Sequence, residues 1–238
     1  MNIIDLLLLL LIMKYKLIVF LLIFTPTIFS QQSYEIGLLP SINVNAKLKN
    51  DWALNFQLQS RQSMLKGDFG NDANFDFQYL LSDLSMITSK RIAPSQTLGL
   101  GYLLRLRSNG VVGHRVIQQY SYVRRYEMFR LSHRLSADQL FISGQKPEFR
   151  YRYRLSSEIP LDGQTVDAGE FYLKLNNEYL FSTKADKSDL EVRLGPYLGY
   201  ALTDATKFEL GVDYRVNSFL HSSASHRFWC AISLFQSF

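Results

Sequence analysis

The 238 residues are 47% hydrophobic and 14% aromatic, yet mean hydropathy is only -0.05, so apolar and polar residues must be finely interleaved within one domain. A formal charge of +5 would suit a nucleic-acid partner, but the basic residues alternate with Leu, Tyr and Phe instead of gathering on one patch, so no nucleic acid is expected. The single cysteine, Cys230, excludes an intrachain disulfide.

The chain opens with a leader. From Met13 onward, Lys14 and Lys16 form a short positive segment, Leu17 to Phe24 an apolar one, and Thr25 to Ser30 ends on a small residue before Gln31. That order is the pattern of a secretory signal peptide. A second apolar run, Leu6 to Ile12, leaves Met1 and Met13 both open as starts, and an uncleaved membrane helix is the alternative. The expected division is a helical signal peptide over 1–30, cut between Ser30 and Gln31, and one domain over 31–238. Removing two Lys and one Asp leaves 24 basic and 20 acidic residues, a mature charge of +4.

Beyond residue 30 no stretch reaches the roughly 18 consecutive apolar residues of a membrane helix. Period two takes over instead. Trp52, Leu54, Phe56 and Leu58 alternate with Ala53, Asn55, Gln57 and Gln59; Phe149, Tyr151, Tyr153 and Leu155 alternate with Arg150, Arg152, Arg154 and Ser156. The same holds around Leu190 to Gly195 and Lys207 to Tyr214. Successive strand side chains point to opposite faces, so each segment is a strand with one apolar and one polar face. A soluble β-sandwich also alternates, but its strands are commonly about five or six residues, whereas many segments here reach about ten, enough to cross a bilayer when tilted. The apolar face is rich in Tyr and Phe, as for a lipid-facing band with aromatic girdles. The chain also ends on an amphipathic strand closed by Phe238, like the assembly signal of outer-membrane barrels, although Gln236 departs from that pattern.

Short turns are expected at 49–51, 93–95, 125–127 and 203–205, and longer links near 62–73, 108–113, 142–148, 182–188 and 218–225. The link from Pro160 to Gly169 would be unusually long for its side. Counting Ser33 to Leu39 as a short first strand gives an all-β, transmembrane, antiparallel up-and-down barrel of about twelve strands with both termini on one side. Ten is the alternative, if Pro40 merely bends one opening strand; the segment 74–92 is the least regular, with a phase slip around Leu80-Leu81.

The stretches His133-Arg134-Leu135, Glu148 to Leu155 and Asn177-Glu178-Tyr179 resemble a family of outer-membrane barrels of unknown function, common in Bacteroidetes-type Gram-negative bacteria. The resemblance covers about residues 31–238, with Asp138 where the family more often has Glu. It implies the barrel, and outer-membrane lipids and the barrel assembly machinery as partners. It implies no activity or ligand.

The side-chain chemistry is sparse. Four histidines, at 114, 133, 221 and 226, lack zinc-ligand spacing, and Gly99 and Gly101 lack the third glycine of a dinucleotide loop, so neither a metal nor a cofactor is expected. Ser108 with His114, or His221, Ser222 and His226, supply the residue types of a loop hydrolase, but solvated loop residues are the simpler reading and no catalytic residue is named. Turn centres near 145, 165 and 185 would place Asp138, Arg152, Glu178 and Arg193 in a charge ladder on the polar face, with Arg150 and Arg154 beside it. The expected role is a narrow pore or small-solute scaffold; a lipid hydrolase and a structural barrel with a filled lumen are the alternatives.

Overall fold

The computed structural model describes residues 33–69, 73–219 and 224–238; the leader and its Ser30–Gln31 junction lie outside the described residues. Eleven strands occupy most of this length: β1 (Ser33–Lys47), β2 (Trp52–Asp68), β3 (Asn74–Ala93), β4 (Gln96–Arg107), β5 (Val112–Arg125), β6 (Arg130–Ile142), β7 (Glu148–Pro160), β8 (Phe171–Lys184), β9 (Lys187–Ala201), β10 (Thr206–Asn217) and β11 (Ser225–Ser237). Each pairs antiparallel with its sequence neighbour, and β1 closes the barrel by pairing parallel with β11.

The count is therefore eleven among the described residues, neither twelve nor ten. Pro40 does not divide the opening strand. It sits where the β1–β2 register passes from Leu38↔Gln62 to Ser41↔Gln59, and the pairing with β11 continues through Pro40↔Ile232. A residue without an N–H is tolerated where one side of the ladder is interrupted. Because eleven is odd, β1 begins at the end opposite to the one where β11 finishes, which replaces the expectation of both termini on one side. Turns 48–51, 94–95, 126–129, 161–170 and 202–205 lie at the C-terminal end, and connections 108–111, 143–147 and 185–186, with the strand ends at Asp68, Asn74, Asn217 and Ser225, at the N-terminal end.

The expected contrast of short turns with long loops is not observed, because pairing runs past the apolar band. β2 continues to Asp68 and β8 to Lys184, so strand takes up residues 62–68 and 182–184 of the expected 62–73 and 182–188 links. The first turn keeps Asn50 and Asp51 at φ 58° and 62°, a left-handed geometry these two residue types accept through their short polar side chains. The phase slip near Leu80 is a bulge: Arg61 pairs with Leu81 and Gln62 with Tyr79, leaving Leu80 without a partner. Leu80 there packs on the buried cluster of Leu39, Trp229 and Ala231.

Alternation decides the two faces. Leu100 and Tyr151 are 62% and 55% exposed on the outside, while Asp138 and Arg115 are 1% and 3% exposed on the inside. Charged side chains, with some leucines and Trp229 among them, fill the interior, and many large apolar side chains are exposed on the exterior.

Candidate functional site

The interior is built by the inward positions of nearly every strand. At one side, Arg105 on β4 donates from Nε and Nη2 to both carboxylate oxygens of Asp83 on β3 at 2.7 and 2.6 Å, and Arg61 on β2 stands 3.9 Å from the same carboxylate. Farther round, Asp138 on β6 receives Arg150 at 2.7 Å and Arg152 at 2.6 Å from β7, with Arg115 of β5 at 4.0 Å. Glu178 on β8 pairs with Arg154 at 2.7 Å and Arg193 at 2.9 Å, and Arg193 also meets Glu191 at 2.5 Å. Arg215 on β10 pairs with Asp213 two residues before it, on the same face.

With Arg107 and Arg134, which also point inward by register, this belt holds ten guanidinium groups against the five carboxylates just named. It is strongly basic. Several donors meet no protein acceptor: Arg61 Nε, Arg107 Nε, Arg152 Nε, and both Nε and Nη2 of Arg115. A buried charged donor left unmatched is costly, so an excess of this size calls for acceptors from water or a solute.

Part of the belt is closed. Leu103, Ile117, Leu140 and Leu180 lie between the charges, and like Asp138 and Arg115 they are buried, so side chains fill the barrel at this level. Nearer the C-terminal end the lining changes to small polar groups, Ser132, Ser136 and Ser156 on β6 and β7 and Asn176 on β8. Here Arg134 is inward by register yet exposed. An inward side chain can be exposed only to space within the lumen. At the C-terminal mouth, Gln164, Thr165 and Val166 of the long 161–170 connection join Arg125, Arg130, Glu158 and Lys207 around a cavity of about 240 Å³. With Glu127 also in the lining and Arg130 paired to Glu158 at 2.9 Å, the mouth carries three basic groups against two acidic ones and is partly roofed. Just inside, Tyr172 lies flat over Gly199 and donates its hydroxyl to Glu209 at 2.9 Å, with Lys174 donating to the same carboxylate at 2.8 and 2.9 Å.

All six residues of the expected ladder, Asp138, Arg150, Arg152, Arg154, Glu178 and Arg193, face the interior, but their register differs. Asp138 is opposite Arg150, and Arg152 is opposite Ser136 and Leu180, not opposite Asp138 and Glu178. Arg154 is the residue opposite Glu178, whereas Glu178 opposite Arg193 is as expected. Pairing centres near 144 and 166 instead of 145 and 165 account for this, because a turn displaced by one residue moves each partner by two and leaves the face unchanged. The continuous ladder becomes two clusters around Asp138 and Glu178. Arg61, Asp83, Arg105, Arg115 and Arg215 were missed; the alternation Leu104-Arg105-Leu106-Arg107 was the available signal for one of these strands.

On the outside, Tyr102 is hydrogen-bonded to His114 at 2.5 Å, Tyr153 to His133 at 2.9 Å and Tyr214 to His226 at 2.8 Å. Ser108 lies in the 108–111 connection, and His221 and Ser222 lie outside the described residues. Phe238 is exposed, and its backbone N donates to Asn45 O at 2.9 Å while its O accepts from Lys47 N at 3.0 Å, tying the chain end to β1.

Residues 36–229 match a family described as a protein of unknown function, DUF2490. No curated protein and no solved structure matches the chain.

Proposed function

Because the chain belongs to the DUF2490 family, whose description gives no activity, we propose its role from the barrel's own physics: an outer-membrane barrel that admits small solutes, anions over cations, into a basic lumen. The apolar exterior supports the membrane setting. Aromatic residues such as Phe171 and Phe181 mark its two edges on one strand, and ten residues of tilted strand span about 25 Å, the height of a lipid-facing band. Strands of 12 to 20 residues exceed what a bilayer requires. Secretion through the 1–30 leader and recognition of Phe238 by assembly machinery complete this reading.

The observation that carries it is Arg134, inward, exposed and without a hydrogen bond or ion pair among the described residues. A guanidinium left in that state favours anions. The buried belt beside it favours a scaffold that is closed at rest over a freely conducting channel. Reconstitution in planar bilayers tests this: low conductance with a reversal potential set by the anion is expected. Large cation-selective currents, or failure to insert at all, would overturn it. A phospholipid-hydrolysis assay on the same preparation is expected to be silent, since His114 and His226 are held by tyrosine hydroxyls.

A further inference from the structure

The patch around Arg134 has the composition of a site for a particular kind of anion. Arg134 and Arg154 are direct cross-strand partners on the inner face. Toward the mouth the next inward pair is Ser132↔Ser156, and toward the belt it is Ser136↔Arg152. Like charges directly opposite destabilise a sheet; the other inward pair of this kind, Arg193↔Arg215, has Glu191 and Asp213 for its two arginines, whereas here Glu178 serves Arg154 and, among the described residues, no carboxylate pairs with Arg134. The donors are distributed to allow an anion between them. Arg154 commits Nε to Glu178 and Arg152 commits one Nη to Asp138, but Arg152 Nε meets no acceptor and Arg134 keeps all its donors.

The charge count narrows the ligand. Arg115, Arg134, Arg150, Arg152, Arg154 and Arg193 face Asp138, Glu178 and Glu191, six cations against three anions, a local excess of three positive charges. A monovalent halide neutralises one of these and accepts without directional preference. A phosphate group carries close to two negative charges at neutral pH, and its oxygens accept paired N–H bonds from guanidinium forks and O–H bonds from serines. At the C-terminal mouth the Arg130–Glu158 ion pair stands with Arg125, Lys207 and Glu127, three basic groups against two acidic ones, a lining that favours anions only slightly.

We propose that Arg134, Arg152 and Arg154, with Ser132, Ser136 and Ser156, form a lumenal binding site for a phosphate group, either inorganic phosphate or a small phosphate monoester. This rests on the lumen being solute-accessible, as read above.

The test is calorimetric titration of the refolded chain in detergent with sodium phosphate, glycerol 3-phosphate and, for comparison, sodium chloride at matched ionic strength. Saturable binding of one or both phosphates is expected, with at least tenfold weaker affinity in Arg134→Ser and an intermediate loss in Arg134→Lys. Lys187→Ser, which removes a charge beside the 185–186 turn, is expected to leave the affinity unchanged. Tighter binding of the monoester identifies an esterified ligand, and equal binding identifies the phosphate group alone as the determinant. Heat-modifiability on gels verifies that each variant is folded. No phosphate binding by the folded chain, or equal losses in Arg134→Ser and Lys187→Ser, would overturn the site. Anion-selective bilayer currents without Arg134-dependent phosphate binding would remove the site and leave the solute-barrel reading. Binding in detergent by a chain that never enters bilayers would do the reverse.

Discussion

Arg134 and Arg154 occupy directly opposed positions on β6 and β7, both turned into the lumen; Arg193 and Arg215 are opposed in the same way on β9 and β10, but there Glu191 and Asp213 pair with both arginines, whereas among the described residues no carboxylate pairs with Arg134. Reversing one charge should therefore stabilise the fold. Cross-strand ion pairs contribute about 0.2 to 1 kcal/mol and like pairs oppose by a similar amount, so Arg134→Glu is expected to gain roughly 1 kcal/mol. Urea unfolding of the refolded barrel measures it. A loss of stability would mean that Arg134 already has a favourable partner that the opposed arrangement hides. A gain accompanied by lost phosphate binding would be the trade of stability for function usual at binding sites.

Asp138 is the opposite case, one carboxylate serving Arg115, Arg150 and Arg152 at 1% exposure. Asp138→Ala leaves three guanidinium groups without their anion in a closed section of the barrel. Breaking a buried pair by removing one partner costs about 3 to 5 kcal/mol. The folded, heat-modifiable yield of this variant should fall sharply, while Asp162→Ala in the exposed 161–170 connection should match the parent chain. Equal yields would show that lumen water solvates these arginines and that the belt is not closed.

How much of this was readable beforehand follows from what period two does and does not encode. Tyr151 outward and Arg152 inward required only alternation along one strand, and the bulge at Leu80 announced itself as a broken alternation. The partner of Asp138 required the turn centre to within one residue, and turn composition does not fix that. Pro40 was misleading because a residue's single N–H faces only one neighbouring strand, and a proline is tolerated where that side of the ladder is interrupted. That Arg61 joins Asp83 while Arg115 joins Asp138 and Arg215 joins Asp213 was not legible at all, since which strands adjoin is set by register and barrel closure.

A steric prediction concerns the mouth. A Cβ built on Gly199 would lie 2.1 Å from Tyr172 Cζ, in the ring of a fully buried side chain that is also held by Glu209. Gly199→Ala must displace that ring or the wall, and such overpacking typically costs about 1 to 3 kcal/mol. Tyr172→Ala removes the obstacle. The double variant should be no less stable than Tyr172→Ala alone, giving a clear coupling in a double-mutant cycle. Additive losses would place the Tyr172 ring away from Gly199.

The closing seam allows the most direct check of topology. β1 and β11 run parallel through thirteen paired positions from Ser33↔Ser225 to Asn45↔Ser237, and Leu38 is the partner of Cys230. Both side chains point outward, and neighbouring strands are spaced about 4.8 Å, within the Cα separation a disulfide accepts. Cys230 is the chain's sole cysteine, so Leu38→Cys offers one possible intramolecular bridge. Mild oxidation of the folded barrel should therefore join residues 38 and 230 and shift the denatured chain's mobility on a non-reducing gel. Ile36→Cys, also outward but paired with Phe228, should cross-link much less. If Ile36→Cys bridges as readily as Leu38→Cys, the seam has slipped by two residues. If neither bridges while the barrel is folded, β1 does not lie parallel to β11, and the odd strand count, with its termini at opposite ends, falls with it.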